Sequence, residues 1–118
     1  MPLSDQQQLS VTASATSAPA GKLRAATPIT IDAKVTAELF INLDARRVGA
    51  SVFNSSNAVL WIDYSADVSP TQHLVPIGPG QLWESSTECI DAIYGRWGTP
   101  PQGETLTGEA HVRSFVIR

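Results

Sequence analysis

The side chains that could serve as nucleophile, acid or base are few in this sequence. His73 and His111 are the only imidazoles, and Cys89 is the only thiol. Catalysis needs such a group beside a partner that activates it. The sequence contains no GxSxG, HExxH, GxGxxG or P-loop pattern, each of which places these groups together. We therefore expect no enzymatic activity, with a Cys–His pair between Cys89 and one histidine as the open alternative.

Four carboxylates, Asp63, Glu84, Glu88 and Asp91, could in principle form a glycosidase pair or a calcium site. Their spacing matches no known loop pattern, so we interpret them as solvated charges on strand faces and turns. Metal sites usually need several Cys or His residues at set spacings. We expect neither a metal nor a cofactor, and we expect Cys89 to be a small buried apolar residue.

Three tryptophans are many for a chain of this size. Trp61 lies in the densest apolar run, and we place it in the core. Trp83 and Trp97 are either core residues or part of a partner interface, where tryptophan is enriched. If they are exposed, they could instead line a sugar-binding groove together with loop 98–108, because aromatic rings are stacking platforms for sugars.

Size and charge exclude several classes of function. The 118 residues correspond to one domain, and the net charge of −3 comes with only eight scattered Lys and Arg residues. Binding to nucleic acid needs a basic stripe, so we expect none. No apolar run approaches the roughly 18 residues of a membrane-spanning helix. Residues 1–10 lack the features of a signal peptide, so we expect the chain to be made in the cytoplasm and not secreted.

Residues 1–26 are rich in Ser, Thr, Ala and Gln and contain no aromatic residue. Such a segment buries too little apolar surface to compensate for its own ordering entropy. It is either a free tail or an extended N-terminal arm that a neighbouring subunit holds in place, and we favour the arm. Its contact residues would include Gln6, Gln7, Gln8 and Leu9.

The rest of the chain, 27–118, has the pattern of an all-β domain. Short apolar segments rich in Val and Ile alternate with Asn, Ser, Asp, Pro and Gly. We predict one small β-sandwich, jelly-roll-like or immunoglobulin-like, with seven or eight strands. The predicted strands are 28–31, 34–43, 48–53, 58–64, 73–77, 81–84, 90–96 and 109–117.

The two-residue period of a strand predicts which side chains point into the core. The predicted inward positions are Leu39, Ile41 and Leu43, then Val48, Ala50 and Val52, then Ile90, Ala92 and Tyr94. Strand 58–64 is apolar on both faces, which suits a central strand.

Three connections carry turn residues. We predict a hairpin turn at 54–57, a sharp corner at 78–80 and a surface loop at 98–108. Arg46 and Arg47 fall at a predicted strand end, as a polar corner or as an ion pair with a neighbouring subunit.

Segments 46–62 (RRVGASVFNSSNAVLWI), 75–84 (VPIGPGQLWE) and 93–97 (IYGRW) resemble the small virion proteins of tailed phages, of the capsid decoration or cement type. The shared pattern is a strand, an Asn-Ser turn, a second strand ending in an aromatic residue, a Pro-Gly corner before an aromatic-Glu pair, and a closing Gly-x-Trp strand. The resemblance implies a β-sandwich on the outer capsid surface.

Its partners would be the major capsid protein and further copies of itself, as a homo-oligomer in the virion. The expected partner-binding residues are Gln6, Gln7, Gln8, Leu9, Arg46, Arg47, Trp83 and Trp97. Two alternatives stay open: a head-to-tail connector or tail component, and a carbohydrate-binding or adhesive module.

Overall fold

The computed structural model describes residues 23–25, 28–85 and 90–117. In these ranges the chain forms nine β-strands in two antiparallel sheets and no helix, which confirms the predicted all-β sandwich. No helix that could cross a membrane occurs in them. The strands are β1 (Leu23–Ala25), β2 (Ile29–Asp32), β3 (Glu38–Ile41), β4 (Arg47–Ser56), β5 (Leu60–Asp63), β6 (Val75–Ile77), β7 (Leu82–Ser85), β8 (Ile93–Trp97) and β9 (Gly108–Ile117).

The first sheet, called sheet A, is organised around the last strand. Its order is β1-β9-β4-β7, and β2 pairs with β9 on the same side as β1. The pairing of β4 with β9 extends from Arg47 opposite Val116 to Ser56 opposite Gly108. Residues 23–25, which we had assigned to the N-terminal arm, therefore belong to the sheet as β1, because they pair with residues 115–117.

The second sheet, called sheet B, has the order β3-β8-β5-β6. The inner faces of the two sheets enclose one core. Apolar side chains that alternate along the strands supply it, as a half-buried sheet requires. Its buried members are Phe40, Ile41, Ala50, Val52, Ala58, Leu60, Ile62, Ile77, Ile93, Trp97, Ala110 and Val112.

The predicted inward side is correct for β4, where Ala50 and Val52 are buried and Val48 is half-buried. It is wrong for β8. That strand begins at Ile93, so its inward residues are the odd-numbered ones, ending at Trp97, and not the even-numbered set counted from Ile90. A shift of one residue exchanges the two faces of a strand.

The predicted inward side is also wrong for β3. The register of β3 against β8 shifts between Leu39 and Ile41, so the period of two is interrupted there. Phe40 and Ile41 are both buried, whereas Leu39 and Leu43 are 46% and 62% exposed. In β5 the buried residues are Leu60 and Ile62; Trp61 is half-buried on the outer face and not in the core, where we had placed it.

The prediction of a hairpin turn at 54–57 is wrong. Residues 54–56 are the last residues of β4, and residues 57–59 carry the chain from β4 in sheet A to β5 in sheet B. The corner at 78–80 is confirmed and returns the chain from β6 to β7 in sheet A. Gly80 has a φ of 75° there, and the Gln81 amide donates to the Gly78 carbonyl at 3.1 Å. Glycine reaches that φ without steric cost.

Candidate interaction surface

The predicted partner-binding residues do not form one cluster in the structure. Gln6, Gln7, Gln8 and Leu9 lie outside the described residues. The other four differ in burial: Arg46 is exposed, Trp83 is half-buried, and Arg47 and Trp97 are buried. The position of each of these four residues in its strand or turn determines how exposed its side chain is.

Arg46 lies at the surface, in the turn before β4. Its Nε and Nη2 each donate to the Asp44 carboxylate at 3.2 Å, and its backbone amide donates to Asp44 Oδ1 at 2.9 Å. The side-chain hydrogen bond from Arg46 is the largest effect lowering the pKa of Asp44 below its usual value. Arg46 therefore has an intramolecular partner at the surface.

Arg47 does not occupy the surface position that the sequence predicted. As the first residue of β4 it is turned into the end of the sandwich, and it is only 2% exposed. Its guanidinium donates to the carbonyl oxygen of Asn42 at 2.9 Å and to that of Asp91. Arg47 thus joins the connection before β4 to the segment before β8. Buried arginine requires such acceptors, because an unpaired buried charge is very costly.

Trp97 is a core residue and only 1% exposed. Its ring packs against Phe40 with centroids 5.5 Å apart, and its Nε1 donates to Asn54 Oδ1 at 3.2 Å. Trp83 packs against the core from the inner side of β7. The sugar groove that we had considered between these tryptophans and loop 98–108 would need Trp97 at the surface, where it does not lie.

Asn54 is the centre of a buried hydrogen-bond network that sequence reasoning missed. Its Nδ2 donates to the carbonyl oxygens of Ala58 and Ile77, both at 2.8 Å, and its Oδ1 accepts from Ser56 Oγ at 2.6 Å as well as from Trp97. The side chain is 0% exposed. Asn is common in turns, so the sequence predicts that Asn54, which follows an apolar strand segment, begins a turn and does not lie in the core.

The outer face of sheet A carries a row of partly apolar side chains. Leu82, Phe53 and His111 lie directly opposite one another on three neighbouring strands. Leu82 is 56% exposed, and the rings of Phe53 and His111 have centroids 6.1 Å apart. A shallow cleft of about 290 Å³ runs along this row and continues to Phe115. The cleft can accept apolar side chains. On its rim, Nε2 of His111 lies 3.1 Å from Oε2 of Glu109.

The outer face of sheet B carries Trp61. Its ring contacts that of His73 with centroids 4.5 Å apart, and its buried Nε1 has no hydrogen-bond partner among the described residues. Arg96, directly opposite Trp61, donates from Nε to the carbonyl oxygen of Val35 at 2.9 Å. The outer face of sheet B therefore carries a charged side chain beside Trp61, and the guanidinium of Arg96 is already bound within the chain.

In the described ranges, no three residues among His, Cys, Asp and Glu lie close enough together to hold a metal ion. The arrangement offers surfaces and strand edges for contact with another molecule. Comparison of the chain with protein-family models, with curated proteins and with solved structures gave no match.

Proposed function

We propose that this chain is a structural protein of a phage particle, which decorates the capsid and bridges neighbouring capsid subunits from outside. The resemblance of segments 46–62, 75–84 and 93–97 to small virion proteins supports the proposal. Those segments supply most of β4 to β8, including two of the connections that carry the chain between the sheets, from β4 to β5 and from β6 to β7. The resemblance therefore concerns the framework of the domain.

The observation that carries the proposal is the amount of apolar surface left outside the core. A domain of this size buries only about 60 to 65% of its unfolded surface, so its own core provides limited stability. Exposed apolar side chains can supply the surface that a contact with another molecule buries. The large apolar side chains that remain 40% or more exposed among the described residues are Ile29, Val35, Leu39, Leu43, Leu74, Leu82 and Ile90.

Burying the exposed half of one such side chain contributes about 1 kcal/mol. A contact of that size is weak on its own. Repeated at every symmetry-related position of a shell, it stabilises the whole particle, because many bound copies act together. The chemistry required is burial of surface, and no bond is made or broken.

The copy number of the chain in purified particles tests the proposal. Quantitative mass spectrometry should find on the order of hundreds of copies, as a closed symmetric shell requires of a decorating protein. About a dozen copies would instead indicate a head-to-tail connector or a tail component. Absence from particles, together with binding to a glycan array, would replace the proposal by an adhesive module.

Particles assembled without the chain provide a second measurement. They should keep their shape but release their genome at lower temperature, because lost contacts lower the barrier to rupture without changing the geometry of the shell. Normal shell stability with a failure to join tails would favour the connector.

A further inference from the structure

Sheet A ends in an open strand edge at β7. Among the described residues, β7 pairs only with β4. The amide of Asn54 donates to the carbonyl oxygen of Gln81 at 2.9 Å, so the backbone of Gln81 faces β4. Because backbone groups alternate along an antiparallel strand, the N–H and C=O groups of Leu82 and Glu84 face away from β4. These groups form a template for one more strand.

The other edges carry a proline or an irregular register, whereas β7 has neither. Strand β6 contains Pro76, which lacks a backbone donor, and β3 is interrupted between Leu39 and Ile41. On the remaining edge, β1 and β2 follow each other along β9 with an extra residue between them. Strand β7 is short and carries the charged Glu84, as many edge strands do. Its outward-facing backbone groups are nevertheless regular and can pair with an added strand.

The side chains around β7 suit an added strand of alternating character. On the outer face, Leu82 is 56% exposed and continues the cleft that passes Phe53 and His111. A strand beside β7 would place every second side chain on this outer face, next to Leu82. The exposed Leu82 side chain thus favours apolar residues at alternate positions of the added strand.

One segment of the chain has this pattern. Residues 9–16 read Leu-Ser-Val-Thr-Ala-Ser-Ala-Thr, which is an alternation of apolar and hydroxyl side chains. The longer stretch 6–21 contains no charged residue, so it could lie beside Glu84 without repulsion. These residues are outside the described ranges, 22 residues of chain precede β1, and a span of that length reaches about 70 Å when extended.

The segment before β1 starts on the far side of sheet A from β7. Leu23 lies opposite Ile117, at the end of β9, on the edge of sheet A opposite to β7, about 14 Å away. The reach of about 70 Å is long enough to extend to a second copy. We assign the segment to a second copy because the proposed function requires contacts between neighbouring molecules, whereas pairing with its own β7 would leave the chain monomeric.

We propose that residues 9–16 of one copy add as a strand to the β7 edge of a second copy. The occupant is thus a segment of this same chain. Main-chain hydrogen bonds to Leu82 and Glu84 give the contact its affinity, and the exposed Leu82 side chain favours apolar residues at alternate positions. The inference deepens the proposed function, on which it rests, by naming the contact that links neighbouring copies.

The test uses four variants of the full chain. Val11→Pro removes a donor from the added segment, and Ala18→Pro is its control outside that segment. Glu84→Pro removes an outward-facing donor of β7 without removing a hydrogen bond to β4, and Glu84→Ala controls for the lost charge. If Glu84→Pro fails to fold in a melting experiment, Val11→Pro alone decides, because it lies outside the described sheets.

Sedimentation equilibrium up to about 1 mM chain, a range that detects even weak association, should show that the parent self-associates. Val11→Pro and Glu84→Pro should weaken this association by about tenfold or more, and the two controls should match the parent. A parent that stays monomeric over this range overturns the proposal. So does a Val11→Pro chain that associates like the parent.

Particle binding separates this inference from the proposed function. A chain that associates through residues 9–16 but is absent from purified particles leaves the inference standing and refutes decoration. A chain present on the shell in many copies, whose Val11→Pro variant self-associates equally well, leaves decoration standing and refutes the inference.

Discussion

Two adjacent arginines show how strongly the environment of a residue decides its role. Arg46 is exposed and pairs with Asp44, whereas Arg47 is buried and donates to backbone carbonyl oxygens from two connections. An exposed ion pair contributes little, because solvent screens it. A buried guanidinium whose partners are backbone carbonyls holds those connections in place.

Arg47→Ala should lower the free energy of unfolding by about 3 kcal/mol, because it removes a buried side chain together with its hydrogen bonds to the carbonyl oxygens of Asn42 and Asp91. Arg46→Ala should leave the free energy of unfolding nearly unchanged. Urea unfolding of the two variants checks this, since both remove the same charge one residue apart. Equal losses would contradict the different roles assigned to the two side chains.

Asn54→Ala should also cost about 3 kcal/mol of unfolding free energy. The substitution leaves Trp97 Nε1 and the carbonyl oxygens of Ala58 and Ile77 without their buried partner. Asn42→Ala is the matched control, because Asn42 is exposed. If thermal melting shows the same midpoint for both variants, water must replace the Asn54 side chain at no cost.

At the scale of elements, the contact between β3 and β8 explains the irregularity of β3. Strand β8 has glycine at position 95, and the Phe40 ring occupies the space that a side chain would need there. The ring then packs against Trp97. Both Phe40 and Ile41 can point inward because the bulge adds one residue to the strand.

Gly95→Ala should therefore be destabilising, by about 1 to 3 kcal/mol, because the added methyl group overlaps the Phe40 ring. Gly49→Ala should be neutral or slightly stabilising. Its methyl group would meet Phe115 at an ordinary 3.7 Å, and alanine loses less backbone entropy than glycine on folding. Chemical denaturation of the two variants gives the comparison. A Gly95→Ala chain as stable as the parent would show that Phe40 can move aside.

For the whole molecule, β9 joins the two ends of the chain. It pairs with β4 on one side and with β1 and β2 on the other, so the first and last described strands lie side by side. Among the described residues the domain therefore includes β1, so its boundary does not fall after residue 26.

Two truncations test this boundary in dilute solution. Removing residues 1–22 should leave the melting temperature near that of the parent, because β1 remains. Removing residues 1–27 takes β1 from the edge of β9, and a loss of even 1 kcal/mol lowers the midpoint by about 4 to 8 °C in a domain of this size. Identical melting temperatures of the two truncated chains would show that β1 contributes no stability to the domain.

The sequence by itself determined the features that depend on neighbours along the chain. The all-β class follows from short Val- and Ile-rich segments, and the inward side of β4 follows from the alternation that buries Ala50 and Val52. The corner at 78–80 follows from its Gly and Pro residues.

The tertiary structure alone decided the features that depend on distant pairing. The sequence predicts a hairpin turn at 54–57, but residues 54–56 extend β4 along β9, and β5 pairs in the other sheet. The burial of Arg47 and Trp97 depends on acceptors that lie far away in sequence, at Asp91 and Asn54. The open edge at β7 can be identified only from the order of the strands in sheet A. Local patterns specify which face of a strand is apolar, and long-range contacts specify what covers that face.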